Sequence, residues 1–174
     1  FDIIVIGKGG HGAIPEKCVD PIYIASQIVI AMQGIVGRNV NPNETAVVGI
    51  TAINGGNTNN VIPDKVELKG ICRTFNNDLR KELLKRIENT SINIAKSMYG
   101  DVKINHIMEY PAVINTKKEA EDIINISKKI VGEENIVTDY KTMCSEDFSF
   151  FLQEKPGAFI LIGNKGENTA PQHN

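Results

Sequence analysis

Several residue types and patterns are scarce in this chain, and each absence narrows what the protein can be. There is no tryptophan, and the three cysteines, Cys18, Cys72 and Cys144, are far apart and form no CxxC pair. Odd, scattered cysteines are typical of a reduced, cytoplasmic protein. No apolar run reaches the roughly 18 residues that a membrane span requires. No charged segment followed by an apolar one marks a signal peptide.

The charge balance argues against a nucleic-acid partner. The net charge is −2 and the isoelectric point is about 6.0, with no basic stripe along the chain. Nucleic-acid binding needs such a stripe, so we expect no nucleic acid as partner. Since no apolar run is long enough to span a bilayer, we expect no membrane as partner either. The 174 residues, 41% of them hydrophobic, fit a globular protein of one domain or two small ones.

Both ends of the chain look cut. Phe1 opens a strand-like run without an initiator methionine, and the chain stops at Gln172-His173-Asn174 without a closing helix or strand. We therefore expect a fragment of a longer protein.

Residues 2–110 predict an α+β fold of the ferredoxin-like type. Asp20 and Pro21 are typical of a helix start, and Gly37 of a helix end. Caps and hydrophobic periodicity predict strands at 2–7, 45–53, 65–75 and 102–110 and helices at 20–37 and 77–98, with a loop at 54–64. This β-α-β-β-α-β order gives an antiparallel sheet with two helices on one side.

Residues 111–174 predict an incomplete α/β segment. A helix over 116–131 would open with a capping box from Thr116 to Glu119. A short helix over 145–153 would be capped by Ser145. The apolar run at 158–162 predicts a strand buried on both faces.

Three loop or strand-end positions are candidates for chemistry. In "GKGGHGAIP", glycines let the backbone approach a ligand, and His11 could donate a hydrogen bond to a developing negative charge. An exposed turn residue is an equally good reading of His11. Asn60, with Asn57 and Asn59, lies in a loop where plain turn chemistry would suffice. Arg73 could bind a carboxylate, or could simply be solvated.

The spacing of the candidate metal ligands does not form a complete metal site. His173 is a lone histidine, and the sequence contains no HExxH motif and no carboxylate cluster at metal-ligand spacing. Glu146 and Asp147 could stabilise a helix N-terminus on dipole grounds alone. His106 alternates with apolar neighbours, which favours a place on a sheet face and no function.

Four motifs in order give a resemblance. "GKGGHGAIP", "GGNTNNVIPDKVELKGICRTF", "SEDFSFFLQEKPGAFILIG" and the terminal "HN" together resemble the amidohydrolases of metallopeptidase family twenty. The similarity is to hydrolases of N-acyl amino acids, hippurate and auxin conjugates, and it runs over essentially the whole chain.

The resemblance implies a fold, cofactors and partners. Such enzymes have a catalytic domain with two divalent metal ions, zinc or otherwise manganese, cobalt or nickel, and an inserted lid domain that often mediates dimerisation. Residues 1–110 would be the lid, and residues 111–174 the C-terminal part of the catalytic domain. The substrate would be an N-acyl amino acid or short peptide, and the protein a homodimer through its lid.

The resemblance also implies roles for single residues. His11 would stabilise the oxyanion, often in the partner subunit's site. Asn60 and Arg73 would hold the substrate's carboxylate or amide, and His173 would be the last metal ligand. Glu146 and Asp147 would lie near the metal pocket. One departure is Cys144, where a glycine is common, which puts the local turn geometry in question.

Three other readings stay open at this point. The chain alone could be a non-catalytic lid and dimerisation module, since the family's other metal ligands and its glutamate base are missing. The longer protein could be a dipeptidase or carboxypeptidase of the same family. An RNA-binding role for the split βαβ fold would need aromatic residues on the central strands, and residues 65–75 offer only Phe75.

Overall fold

The computed structural model describes residues 1–107 and 110–163. The chain divides into two compact units, a first unit of Phe1–Ala112 and a second unit of Val113–Asn174. The strands are β1 (Asp2–Ile6), β2 (Gly10–His11), β3 (Ala46–Asn54), β4 (Val61–Ile62), β5 (Lys65–Thr74) and β6 (Asp101–Asn105); the helices are α1 (Pro21–Asn39), α2 (Asn77–Ser97), α3 (Lys117–Val131) and α4 (Phe148–Glu154).

The first unit is built on a four-stranded sheet in the order β3-β5-β1-β6, antiparallel throughout. Together with α1 and α2, which contact each other and the sheet, this is the predicted ferredoxin-like arrangement. The core forms between one face of the sheet and the two helices. Its fully buried side chains come from both layers: Ile3, Val5, Val66 and Leu68 from the strands, and Ile24, Ile28, Met32, Leu83 and Ile87 from the helices.

Helix α1 begins where the sequence predicts and ends later. The Asp20 carboxylate accepts hydrogen bonds from the backbone N–H groups of Ile22 (2.8 Å) and Tyr23 (3.3 Å), as an N-cap should. The predicted end at Gly37 is wrong, because the helix continues to Asn39. The Asn39 side chain donates to the carbonyls of Gly34 and Ile35, which supplies partners for the last turn.

Strand β6 is shorter than predicted. It ends at Asn105 rather than at residue 110, because Asn105 pairs with Asp2, the first residue of β1.

The predicted strand at 158–162 is wrong. These residues form no strand, and Ile162 is 85% exposed. The backbone N–H and C=O of Phe159 are instead paired with the side-chain amide of Asn115, both at 2.9 Å. An apolar run becomes a strand only beside another strand, and the described part of the second unit contains none.

The two predicted caps of the second unit also differ. The Thr116 hydroxyl donates to Glu119 (2.6 Å) and accepts the backbone N–H of Gly157 (2.9 Å), but it accepts no N–H of its own helix. The bond from Thr116 lowers the pKa of Glu119. The helix predicted from residue 145 starts at Phe148, whose N–H contacts the Glu146 carboxylate at 3.5 Å. Ser145 is therefore not the cap.

No helix among the described residues combines the length and the apolar character needed to cross a bilayer.

Two glycines of the sheet offer a matched test of its packing. A Cβ at Gly70 would lie 2.6 Å from the Gly49 carbonyl oxygen and would also meet the Phe1 ring, whereas a Cβ at Gly49 would meet nothing within 4 Å. We expect Gly70→Ala to lower the free energy of unfolding by about 1–3 kcal/mol. Gly49→Ala should change it by no more than about 0.5 kcal/mol in either direction. Urea unfolding of the 174-residue chain measures both, and equal effects would contradict this packing.

Candidate functional site

Two loops meet at one end of the sheet. The His11 loop (residues 7–14) follows β1, and the Asn60 loop (residues 54–64) joins β3 to β5. They are joined by the two-residue strands β2 and β4, in which His11 pairs with Val61 and Gly10 with Ile62. The Gly12 N–H donates to the Asn60 carbonyl at 2.9 Å. The structure thus brings together His11 and Asn60, which are far apart in the sequence.

Asp64 fastens the start of the His11 loop. Its carboxylate accepts the N–H of Gly9 at 2.9 Å, and its backbone carbonyl accepts the N–H of Gly7 at 2.9 Å. A Cβ at Gly9 would lie 2.7 Å from the Ile62 carbonyl oxygen. This glycine therefore permits close approach to the protein's own backbone, where the sequence suggested approach to a ligand.

The His11 ring is exposed and held from one side. Its Nδ1 accepts the backbone N–H of Ala13 at 3.1 Å, inside a turn that the Ile14 N–H closes on the His11 carbonyl at 2.9 Å. Within the described residues no group hydrogen-bonds to Nε2. That nitrogen can therefore donate to a ligand.

The Asn60 side chain is exposed, and Asn60 immediately precedes β4, the strand that pairs with β2. Its Oδ1 accepts the Thr58 hydroxyl at 3.0 Å. The side-chain NH₂ group can then donate to a substrate carbonyl or carboxylate. Asn57 and Asn59 are also exposed in the same loop.

Arg73 lies at the other end of β5. It pairs with Val47 of β3, eight residues along the strand from Lys65, which follows the Asn60 loop. At about 3.3 Å per residue this corresponds to about 26 Å. Within one copy of the chain, Arg73 therefore does not join His11 and Asn60.

A groove of about 880 Å³ lies on the face of the sheet away from the helices. Ile4 and Glu67 of the sheet and Asn57 and Thr58 of the Asn60 loop contribute to its lining, which does not include His11, Asn60 or Arg73. The three predicted residues thus do not share this concavity.

The remaining titratable candidates look structural. Burial raises the pKa of the Cys72 thiol, and the nearby Arg80 charge only partly opposes this, so Cys72 is not an activated nucleophile. His106, predicted to lie on a sheet face, follows the last residue of β6, and its Nε2 lies 3.9 Å from the Glu88 carboxylate of α2.

The predicted metal ligand His173 lies outside the described residues. Within the described ranges, no three histidine, cysteine or carboxylate side chains cluster closely enough to hold a metal ion. Glu146 and Asp147 lie at the start of α4. Cys144 is exposed. Its φ is not positive, since among the described non-glycine residues only Tyr99 has a positive φ. The turn here does not require a glycine.

Sequence reasoning missed Asp64. It stands in the quoted motif "NVIPD" without an assigned role, although an aspartate at a loop end is a frequent acceptor of backbone N–H groups. That signal could have suggested a loop clamp, but not that the clamped loop carries His11.

Comparison with known proteins fits this fold. Residues 1–98 match the family model of the M20 peptidase dimerisation domain. The chain is 38% identical over its whole length to hippurate hydrolase of Campylobacter jejuni, and 34% identical over 96% of its length to thermostable carboxypeptidase 1 of Saccharolobus solfataricus. It covers 45% and 42% of these relatives, so it spans somewhat less than half of their length.

Solved structures of similar fold agree with these sequence comparisons. A putative aminohydrolase from methicillin-resistant Staphylococcus aureus superposes with a TM-score of 0.80 at 31% identity, over 99% of this chain and 45% of that one. The Bacillus subtilis YxeP protein, described as a dinuclear metal binding peptidase from the M20 family, shares the fold with a TM-score of 0.65 at 24% identity, over 90% and 38%. The chain belongs to the M20 peptidase family, and its first unit carries that family's dimerisation domain.

Proposed function

We propose that residues 1–174 are part of a metal-dependent amidohydrolase that cleaves the amide bond of N-acyl amino acids. The observation that carries the proposal is the β2–β4 pairing, which places the exposed His11 opposite Val61, the residue that follows the exposed Asn60. The likeness to hippurate hydrolase, whose name describes such a bond, supports this substrate class.

His11 supplies the electrostatic part of the reaction. When water adds to the amide carbonyl, negative charge develops on its oxygen, and an N–H group fixed in place stabilises that charge. A ring held by the turn at Ala13 and by the Asp64 clamp needs little reorganisation to do so.

Arg73 and Asn60 supply substrate binding. A guanidinium binds a carboxylate through two parallel hydrogen bonds, and the Asn60 NH₂ group can donate to a carboxylate or amide oxygen. An N-acyl amino acid has a carboxylate one carbon from the amide nitrogen, so these residues select the amino-acid side of the bond.

The metals belong to the proposal but not to the described residues. The neighbour described as a dinuclear metal binding peptidase supports a pair of divalent ions, which would activate the attacking water. The described residues do not fit such ions, since no three ligating side chains cluster. We therefore assign metal binding to the longer protein, with His173 as this chain's one contribution, and derive no step through it.

A homodimer through the first unit completes the proposal. Strand β3 is a free edge of the sheet, and free edges invite pairing with another chain. Ile30 of α1 is 65% exposed, and a groove of about 440 Å³ runs between α1 and β3. Two copies pairing along this side would cover the apolar groove and the edge together.

The dimer would bring Arg73 to the other residues. A twofold axis perpendicular to the sheet pairs β3 antiparallel with the partner's β3 and sets the two α1 helices side by side. The end of β3 near Val47, beside Arg73, then lies next to the partner's Asn54, where the partner's Asn60 loop begins. Each active site would use Arg73 of one subunit and the partner's His11 and Asn60.

Two alternatives have support of their own. The carboxypeptidase relative suggests a peptide as substrate; the bond is again an amide to an amino acid with a free carboxylate, so the same residues would serve. The described residues contain no cluster of metal ligands, which suggests that the chain alone is a lid and dimerisation module. Amidase activity with bound zinc in the 174-residue chain would refute that. The three free cysteines support a cytoplasmic location for the whole protein.

The dimer surface is testable on the 174-residue chain. We expect Ile30→Glu to convert a dimer to a monomer, because it buries a charge in the apolar groove between α1 and β3. Ile107→Glu is the matched control, since Ile107 is 54% exposed but follows β6 at the opposite edge. Light scattering after size exclusion gives the masses. A dimer that survives Ile30→Glu but not Ile107→Glu would place the interface elsewhere.

The shared site is testable in the longer enzyme by mixing inactive subunits. We expect His11→Ala to lower kcat by about 100- to 1,000-fold with little change in KM. Arg73→Ala should lower kcat and also raise KM. Mixed dimers of the two variants contain one intact site, so random mixing should restore about a quarter of the wild-type activity.

Mixing His11→Ala with Asn60→Ala is the control. Both residues come from one subunit, so no mixed dimer of this pair has an intact site, and activity should stay low. Recovery in the control but not in the first pair would refute the shared site. An unchanged kcat in His11→Ala would refute the oxyanion role itself.

A further inference from the structure

We propose that the backbone N–H of Ala13 fixes the tautomer of His11, so that the ring carries its proton on Nε2 and offers that nitrogen to the substrate. This inference rests on the proposed oxyanion role of His11 and names the group that prepares it. It makes Ala13 a positioning residue that acts through its peptide group.

The contact that carries the inference is local and well defined. Ala13 N lies 3.1 Å from His11 Nδ1. A backbone N–H can only donate, so Nδ1 must present its lone pair to it. In a neutral imidazole, the nitrogen that accepts cannot also carry the proton, so the proton is on Nε2.

The surrounding loop keeps this contact in place. The Ile14 N–H closes the same turn on the His11 carbonyl, the Gly12 N–H is bonded to Asn60, and Asp64 holds Gly9. If the proton moved to Nδ1, two N–H groups would point at each other with their nitrogens only 3.1 Å apart. Relieving that clash would mean breaking a turn that is tied at several points.

The chemical consequence concerns which atom reaches the substrate. Nδ1 is occupied by the loop, whereas Nε2 is the ring nitrogen that lies more bonds away from the backbone. The donor that an oxyanion needs is thus formed before substrate binds, which is what electrostatic preorganisation requires.

The test measures the tautomer directly. In the 174-residue chain with ¹⁵N-labelled histidine, long-range nitrogen–proton correlation spectra distinguish Nδ1–H from Nε2–H rings. The chain has three histidines, so the signals lost in His11→Ala identify His11. We expect the Nε2–H form, and a predominant Nδ1–H form would overturn the proposal.

An amide-to-ester replacement isolates the cause. Lactic acid at position 13 keeps the methyl group and removes the N–H, and it should shift the tautomer ratio of His11 about fivefold toward Nδ1–H, which corresponds to one net hydrogen bond of about 1 kcal/mol. The matching amide-to-ester replacement at Ile14, with its side chain kept, removes the hydrogen bond from the Ile14 N–H to the His11 carbonyl. It removes none to the ring, so it should leave the tautomer ratio of His11 unchanged. Equal shifts in both esters, or none at position 13, would overturn the role of Ala13.

Activity of the longer enzyme gives a second, independent reading. The amide nitrogen of glutamine is as many bonds from Cα as Nε2 of histidine, whereas that of asparagine matches Nδ1. We expect His11→Gln to keep roughly tenfold more kcat than His11→Asn, and the reverse order would contradict donation from Nε2. If His11→Ala leaves kcat unchanged while the tautomer is as expected, the oxyanion role fails and the tautomer assignment stands.

Discussion

The short pairing of β2 with β4 is the constraint on which the candidate site depends. It consists of two residues on each side, His11 opposite Val61 and Gly10 opposite Ile62, and it has no hydrophobic core of its own. A pair this small holds because the chains entering it are already fixed: Gly7 is tied to Asp64 at the end of β1, and β5 starts at the next residue. The large sheet therefore sets the register of the small one. The position of the His11 ring, which we propose as the oxyanion donor, follows from the pairing of strands that lie outside the site.

The length of β5 imposes the second constraint. A strand of ten residues separates its two ends by more than the size of a small substrate, so groups at opposite ends of it cannot meet in one copy. If Arg73 and His11 serve one reaction, symmetry has to bring them together. The proposed antiparallel pairing of two β3 edges does this without any change in fold, because a twofold axis interchanges the ends of the sheet. On this view the free edge, the exposed side chain of Ile30 and the distance between the site residues have one explanation.

Much of the first unit could be predicted from the sequence because its signals are local. The Asp20 cap, the apolar stripe of α1 and the alternation along β5 depend on neighbours a few residues away. The errors came where the outcome depends on distant partners. Strand β6 ends at Asn105, the partner of Asp2 in β1, and the 158–162 run stays irregular because Asn115 takes the hydrogen bonds of Phe159. The proximity of His11 and Asn60 could be suggested only through the family resemblance, since no local pattern records which loops will pair.

The arrangement also separates the stability of the domain from its proposed chemistry. Ile3 and Val5, fully buried in the core, and His11, fully outside it, lie within nine residues of each other on either side of Gly7. Changes to the exposed ring leave no cavity in the core, so they should cost little free energy of unfolding, whereas shortening Ile3 or Val5 would cost several kcal/mol. A loop held by backbone hydrogen bonds places few demands on its side chains. The histidine can therefore be selected for what it does to a substrate rather than for how it packs.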